Sequence, residues 1–175
     1  MTGDGRSVVV RDMGDGDRDT VLALNAGDVE HLSSLDGARL DWIVSLARLA
    51  VVAEIGGEVA AFALVVGPGT AYDSANYRWF GDRLADFSYL DRIVVAGPFR
   101  RRGLAGLLYD RAEADGAGSG ILVCEVNVEP ANEPSLAFHQ GRGYRELGRR
   151  VAGDGTGLVM LGLTLGVGAG PTATD

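Results

Sequence analysis

The stretch that most constrains the fold of this chain covers residues 89–109 and reads YLDRIVVAGPFRRRGLAGLLY. It opens with an apolar run rich in β-branched residues, breaks at Gly97 and Pro98, and then repeats leucine at helical spacing. The pattern therefore predicts a strand, a tight turn and a helix, in that order.

The turn before the helix carries the sequence RRRGLA at residues 100–105. Small residues here let a ligand approach main-chain N–H groups that the first helical turn leaves unpaired. The helix dipole adds partial positive charge at the same end, and three arginine side chains surround it. We therefore expect this turn to bind phosphate. The alternative is an arginine-rich helix start on a solvated surface.

Two other phosphate-binding patterns are excluded. The P-loop pattern requires a lysine, and all 16 basic residues of this chain are arginine. The dinucleotide-binding pattern G-x-G-x-x-G must lie between a strand and a helix, whereas Gly116, Gly118 and Gly120 precede a predicted strand.

Length and charge limit the number of domains and the kinds of partner that this chain can have. With 175 residues, 46% of them hydrophobic, we predict one domain over residues 1–175, with flexible tails at 1–6 and 166–175. The net charge of −8 argues against nucleic acid or an anionic membrane as a partner, because its field repels polyphosphate. The chain has one cysteine, no cationic leader and no apolar run of about 20 residues, which predicts a cytoplasmic protein.

In the first half of the chain, some segments have apolar residues at helical spacing and others have the β-rich runs that are typical of strands. They predict a strand at 7–11, helical segments after residue 20 and at 36–47, a helical or irregular piece at 29–35, and a hairpin of 49–54 with 58–66. The connection at 67–87 is about 20 residues long, and such connections are more often functional than idle. We predict that Tyr72, Tyr77 and Trp79 bind substrate there. The alternative is a surface loop whose rings cover the core.

Residues 121–127 form a second apolar run after the central helix. The order strand, helix, strand favours a parallel pair with a right-handed crossover. Alternation puts Glu125 and Asn127 on one face of the strand and Cys124 on the other. We expect Cys124 to be a small buried residue rather than a reactive thiol.

A second motif, NEPSLAFHQGRGY, occupies residues 132–144. Pro134 near its start and glycine near its end predict a helix. Asn132, Ser135 and His139 are spaced so that they share one face of that helix.

Together these motifs resemble the GCN5-related N-acetyltransferase (GNAT) superfamily. Residues 100–105 match that family's Q/R-x-x-G-x-G/A loop, and residues 132–144 are similar to its N-x-x-A/S-x-x-F/L-Y-x-x-x-G-F/Y helix, in the same order. The resemblance extends from Val8 to about Leu165. Within the superfamily, the sequence looks like a group of predicted bacterial acetyltransferases of unknown substrate. It implies an α/β (α+β) fold with a mixed, mostly antiparallel sheet of about seven strands and helices on both faces.

The resemblance also implies acetyl-CoA as the cofactor, inserted where the strands at 89–95 and 122–127 splay apart. It assigns cofactor contacts to the strand residues Ile93, Val94 and Val95, to the loop residues Arg100, Arg101, Arg102, Gly103, Leu104, Ala105 and Gly106, and to the helix residues Asn132, Ser135, Phe138 and His139. No metal ligand set is predicted.

The mechanism that the resemblance implies is direct acetyl transfer to a primary amine in a ternary complex. A protonated amine must first lose a proton, and Glu125 or Asp91 could accept it; Asp91 could instead form an ion pair with its neighbour Arg92. His139 stands where the family pattern has the tyrosine that protonates the leaving thiolate. It could serve as that acid or thiolate stabiliser, or it could be a structural residue.

The acceptor is predicted to be a small-molecule or peptide amine. A rival interpretation is a non-catalytic acyl-CoA-binding or sensing module, which explains the phosphate loop equally well. A late strand at the edge of the sheet could pair with a second copy and form a homodimer.

Overall fold

A computed structural model of the protein describes residues 7–28 and 32–166. Its seven strands form one sheet in the order β1-β2-β3-β4-β5-β7-β6. The strands are β1 Val8–Asp12, β2 Ala47–Ile55, β3 Glu58–Val66, β4 Ser88–Val95, β5 Ile121–Glu129, β6 Arg145–Val151 and β7 Gly157–Thr164. Every pairing is antiparallel except that of β4 with β5, which is parallel. The predicted mixed sheet is confirmed.

Within the same described residues, five α-helices cover the two faces of this sheet. They are α1 Arg18–Ala26, α2 Gly37–Leu46, α3 Ala75–Gly81, α4 Leu104–Gly116 and α5 Glu133–Arg142. Helices α1, α2 and α3 contribute to one core, which includes Phe62 and Tyr89 of the sheet. Helix α4 and, at its margin, α5 contribute to a second core on the opposite face, which includes Leu122. We call these the α1–α3 face and the α4–α5 face.

Local sequence explains where the site-bearing helices begin and lie. Helix α4 has Leu104, Leu108 and Ala112 at four-residue spacing, and all three are fully buried against the sheet. Helix α5 begins at an N-cap, because the Asn132 side chain accepts a hydrogen bond from the Ser135 N–H at 3.2 Å. It ends at Gly143, whose φ of 90° is the left-handed conformation that glycine adopts readily.

The connection at 67–87 departs from the prediction, because it contains helix α3. The Ser74 hydroxyl caps this helix by accepting the Tyr77 N–H at 3.3 Å. Tyr77 and Phe80, three residues apart, are both buried in the core of the α1–α3 face. The seven-residue helix thus owes its place to this packing rather than to helix propensity.

Several predicted segments fall wholly or partly outside the described residues. The flexible tails lie outside them except for Gly166, and the piece predicted at 29–35 is described only from residue 32, where no helix forms. Within the ranges that the structure covers, no helix is both long and apolar enough to cross a bilayer.

The packing of α4 gives a matched test of the fold. Leu108 is fully buried whereas its neighbour Leu107 is 40% exposed. Leu108→Ala is expected to lower the free energy of unfolding by about 2–5 kcal/mol, because it leaves a cavity in the core. Leu107→Ala is expected to change it by less than about 0.5 kcal/mol. Urea unfolding of both variants measures the difference, and equal effects would contradict the packing described here.

Candidate active site

The parallel pairing of β4 and β5 is very short. Only two residue pairs are in register, Ser88 with Leu122 and Tyr89 with Val123. Beyond them β4 continues along β3 and β5 continues along β7. The strand edges that face each other after Tyr89 and Val123 therefore have no strand partner among the described residues. We call this opening the gap; it coincides with a cavity of about 1010 Å³, and it confirms the predicted splay.

The first two residues of β5 past the last pair point to opposite faces of the sheet. Cys124 is buried on the α4–α5 face, where its strand neighbours Leu122 and Val126 also pack. Glu125 lies on the other side, where the Tyr89 hydroxyl donates a hydrogen bond to its Oε1 at 3.0 Å. The predicted alternation is confirmed, so the cavity presents different chemistry on its two sides.

The loop before α4 has the shape of an anion site. Arg101 and Gly103 both have positive φ, 63° and 82°, and Gly103 is the N-cap of α4 with no side-chain cap. The main-chain N–H groups of the first helical turn are therefore left for a ligand. Arg100, Arg101 and Arg102 are exposed around this point. Both the positive charge and the free N–H groups therefore favour an anion here.

Many of the predicted cofactor residues line the cavity. They are Ile93, Val95, Arg100, Ala105, Asn132, Ser135, Phe138 and His139. The side chains of Val94 and Leu104 do not: Val94 is buried in the core of the α1–α3 face and Leu104 in that of the α4–α5 face. These two residues can offer a cofactor only their main chain. Arg101, Arg102, Gly103 and Gly106 are likewise absent from the lining.

Glu125 is a carboxyl group in the cavity wall whose pKa is raised into the neutral range. Burial, followed by the repulsion of Asp91, raises its pKa to about 7, against hydrogen bonding from Asn76 and Tyr89 that favours the charged form. Its Oε2 is shielded from solvent and accepts no well-formed hydrogen bond in the part of the chain that the structure describes. This oxygen is therefore a buried acceptor whose hydrogen-bonding capacity is unused.

Asp91 is held in a buried ion pair. Its Oδ2 accepts a hydrogen bond from Arg92 Nε at 2.7 Å, and both side chains are about 5% exposed or less. Its Oδ1 accepts the Tyr72 hydroxyl. Arg92 in turn bonds Asn25 Oδ1 at 3.0 Å, which ties β4 to α1. Asp91 therefore has its partners already, and of the two predictions for it the ion pair is the one observed.

His139 is also enclosed, 5% exposed. Its Nδ1 lies 2.7 Å from the Ser135 carbonyl oxygen, which can only accept, so Nδ1 carries the proton. Its Nε2, 2.5 Å from the Tyr109 hydroxyl, therefore accepts that hydroxyl's hydrogen bond. Burial lowers the pKa of the imidazole below its usual range, which favours this neutral form.

The three predicted substrate residues have different surroundings. Tyr72 lines the cavity. The Tyr77 hydroxyl instead donates to the Gly67 carbonyl at 2.8 Å, inside the core. The Trp79 ring packs against Phe80 and beneath Arg83, away from the cavity. The structure therefore does not bring Tyr77 and Trp79 into the cavity wall, because both rings cover core surface.

Several residues that line the cavity were not predicted as site residues, among them Tyr89, Tyr109 and Asn76. Tyr89 is two residues before Asp91, and strand alternation was a usable signal for it. Asn76 belongs to the unpredicted helix α3. Tyr109 meets His139 only because α4 and α5 pack side by side, and no local pattern encodes that contact.

No curated protein sequence matches the chain. Solved structures match its fold, among them yncA from Salmonella typhimurium, which contains its cofactor acetyl-CoA (19% identity, TM-score 0.68, covering 95% of this chain and 99% of that one). A ribosomal-protein-alanine N-acetyltransferase from Brucella melitensis matches at 22% identity and TM-score 0.65, over 90% of this chain and 99% of the other.

A third similar structure is Arabidopsis thaliana Naa50 in complex with the bisubstrate analogue CoA-Ac-MVNAL, at 11% identity and TM-score 0.69, covering 91% of this chain and 99% of that one. At these identities the likeness shows the fold. The sequence profile of the Acetyltransferase (GNAT) family matches residues 21–144, which include the loop, both splayed strands and the α5 motif. The chain belongs to the GNAT acetyltransferase family.

Proposed function

We propose that this GNAT acetyltransferase moves the acetyl group of acetyl-CoA directly to a primary amine, with both substrates held in the gap between β4 and β5. The observation that carries the proposal is the position of Glu125. It lies just past the last β4–β5 pair with an unpartnered oxygen and a pKa near neutrality. An acyl-enzyme is not needed, because an amine that has lost its proton is itself the nucleophile.

The cofactor side of the gap is built from main chain. The first-turn N–H groups of α4 would bind the diphosphate, with Arg100 and its neighbours supplying positive charge. The exposed edge of β4 would offer N–H groups near Ile93 and Val95 to the pantetheine arm and to the thioester carbonyl. Pairing along that edge replaces the strand hydrogen bonds that β4 and β5 do not make with each other.

Glu125 would act as the general base on the acceptor side. A primary amine has a reference pKa of about 10.4 and arrives protonated at neutral pH, so a nearby base must remove a proton. A carboxylate with a pKa of about 7 is ionised often enough to accept it and basic enough to do so efficiently. Asp91, already bonded to Arg92 and Tyr72, would shape the pocket rather than accept protons.

Charge around the acceptor half suits a cationic amine. Its wall carries the carboxylates of Asp73, Asp91, Glu125 and Asp154. Asp73 is paired with Arg39 at 2.6 Å and Asp91 with Arg92 at 2.7 Å, which leaves Glu125 and Asp154 to face a cation. The similar Brucella and Arabidopsis proteins are a ribosomal-protein-alanine acetyltransferase and one bound to a peptide-CoA analogue. We therefore propose a small-molecule or peptide amine as acceptor. A cytoplasmic location and a homodimer through the edge strand β6 remain predictions.

The direct test is coenzyme A release from acetyl-CoA with a panel of acceptors: peptides with a free N-terminus, lysine peptides with a blocked N-terminus, and small primary amines. We expect turnover with at least one class and none with the matched N-acetylated compounds. Tight acetyl-CoA binding with no turnover on any amine would instead favour the non-catalytic binding module.

The phosphate loop is tested by Gly103→Asp, with Gly120→Asp as control. Both glycines have positive φ, 82° and 75°, and both have open space where a side chain would be added, so the backbone strain is similar. Only Gly103 caps α4, where a carboxylate would repel the diphosphate. Calorimetry with coenzyme A is expected to show at least about tenfold weaker binding for Gly103→Asp alone. Equal affinities in the two variants would contradict this site.

The base is tested by Glu125→Gln, with the exposed Glu129→Gln on the same strand as control. Loss of a general base is expected to lower kcat by about 10²–10⁴-fold. Because the base must be ionised, wild-type kcat should rise with pH and level off above about 7. A Glu125→Gln enzyme that keeps both the rate and this pH dependence would rule out the assignment.

A further inference from the structure

Two consecutive residues of β5 face the two opposite sides of the gap. Glu125 faces the α1–α3 face and Cys124 faces the α4–α5 face. If the thioester lies in the gap, as the proposed function requires, the attacking amine approaches on the Glu125 side. The departing sulfur then needs a hydrogen-bond donor, and the side of Cys124 is where it has to come from.

His139 cannot be that donor in its observed state. Its one ring proton is on Nδ1 and is bonded to the Ser135 carbonyl, while Nε2 accepts from Tyr109. The imidazole therefore presents no N–H to the cavity, although it lines the cavity wall. Of the two alternatives for His139, the hydrogen bond to a backbone carbonyl is the one that is observed.

Tyr109 supplies the O–H that His139 lacks. It lines the cavity with Cys124, the first β5 residue past the last β4–β5 pair, and both residues pack in the core of the α4–α5 face. Rotation about the C–O bond alone would turn its proton from His139 Nε2 toward a sulfur in the gap.

We propose that the Tyr109 hydroxyl donates the hydrogen bond that stabilises the CoA thiolate as it leaves, and that His139 is the positioning residue that holds this hydroxyl at the gap. The proposal rests on the proposed function. It exchanges one neutral hydrogen bond, to the imidazole, for a charge-assisted bond to the thiolate.

Tyr109 would act as a donor and keep its proton. Burial raises the pKa of its hydroxyl well above the usual value of 10, whereas an ordinary thiol ionises near 8.5. Full proton transfer to the thiolate is therefore uphill, and the thiolate takes its proton from solvent after release. The enclosure that keeps Tyr109 neutral also strengthens its hydrogen bond, because water does not compete for it.

The surrounding packing fixes the Tyr109 ring in this position. It makes edge-to-face contacts with Phe138 and Tyr144 at centroid distances of 5.0 and 5.9 Å. Arg142, paired with Glu113 at 2.7 Å, lies over it and links α4 to α5. The hydroxyl is thus placed by the contact between two helices rather than by a loop.

The test is Tyr109→Phe, with Tyr144→Phe as the matched control. Tyr144 belongs to the same aromatic cluster, but its hydroxyl donates to Glu113 at 3.3 Å and it does not line the cavity. Tyr109→Phe is expected to lower kcat by about 10- to 100-fold, somewhat less than losing an oxyanion donor because sulfur accepts weakly. The affinity for coenzyme A and kcat of Tyr144→Phe should stay within about twofold of wild type.

A rescue separates the donor role from a structural one. Y109F/H139Y moves a hydroxyl from α4 to the α5 position that the family pattern uses, and it is expected to recover at least about tenfold of the loss. H139F, which keeps Tyr109 but removes its anchor, should lower kcat by a larger factor than it weakens coenzyme A binding. If Tyr109→Phe does not fold, H139F alone decides.

Each result has one meaning. Wild-type kcat in Tyr109→Phe, or in H139F, overturns the proposal while leaving the proposed function intact. Equal losses in Tyr109→Phe and Tyr144→Phe, with no recovery in the double variant, also overturn it and make the cluster structural. Absence of turnover in the wild-type protein with every amine overturns the proposed function, and this proposal with it.

Discussion

The structure depends on one incomplete pairing: β4 and β5 share only two residue pairs before they separate. A sheet normally satisfies the N–H and C=O groups of both strands, and here two neighbouring edges are left open inside the protein. Helices α4 and α5 pack against these strands on one face, and α1 packs against β4 on the other. An extended ligand with its own amide groups can complete the pairing, which is why the fold suits pantetheine.

The two acidic side chains beside the gap, Asp91 and Glu125, have different surroundings. Asp91 and Arg92 are buried together on β4, and each offsets the cost of burying the other. Glu125 on β5 has no cationic partner at hydrogen-bond distance among the described residues, so burial raises its pKa to about 7. Asp91 is thereby held in the ion pair with Arg92, whereas Glu125 can exchange a proton near neutral pH.

Sequence predicted the parts of this site that local patterns encode. Strand alternation placed Glu125 and Cys124 on opposite faces, and Pro134 near the first helical position predicted the start of α5. It did not predict that Tyr109 bonds His139, because the two are 30 residues apart and meet through the packing of two helices. Nor did it separate Tyr72, which reaches the cavity, from Trp79, since both are aromatic residues of one connection.

The central claim is that the thioester lies in the gap, with a base on one side of it and a hydrogen-bond donor for sulfur on the other. A crystal structure with coenzyme A bound tests this most directly. The account predicts main-chain hydrogen bonds from the cofactor to the open edge of β4 and a sulfur roughly 3–4 Å from the Tyr109 hydroxyl, on the face opposite Glu125. A cofactor bound outside the gap, or a sulfur on the Glu125 face, would contradict it.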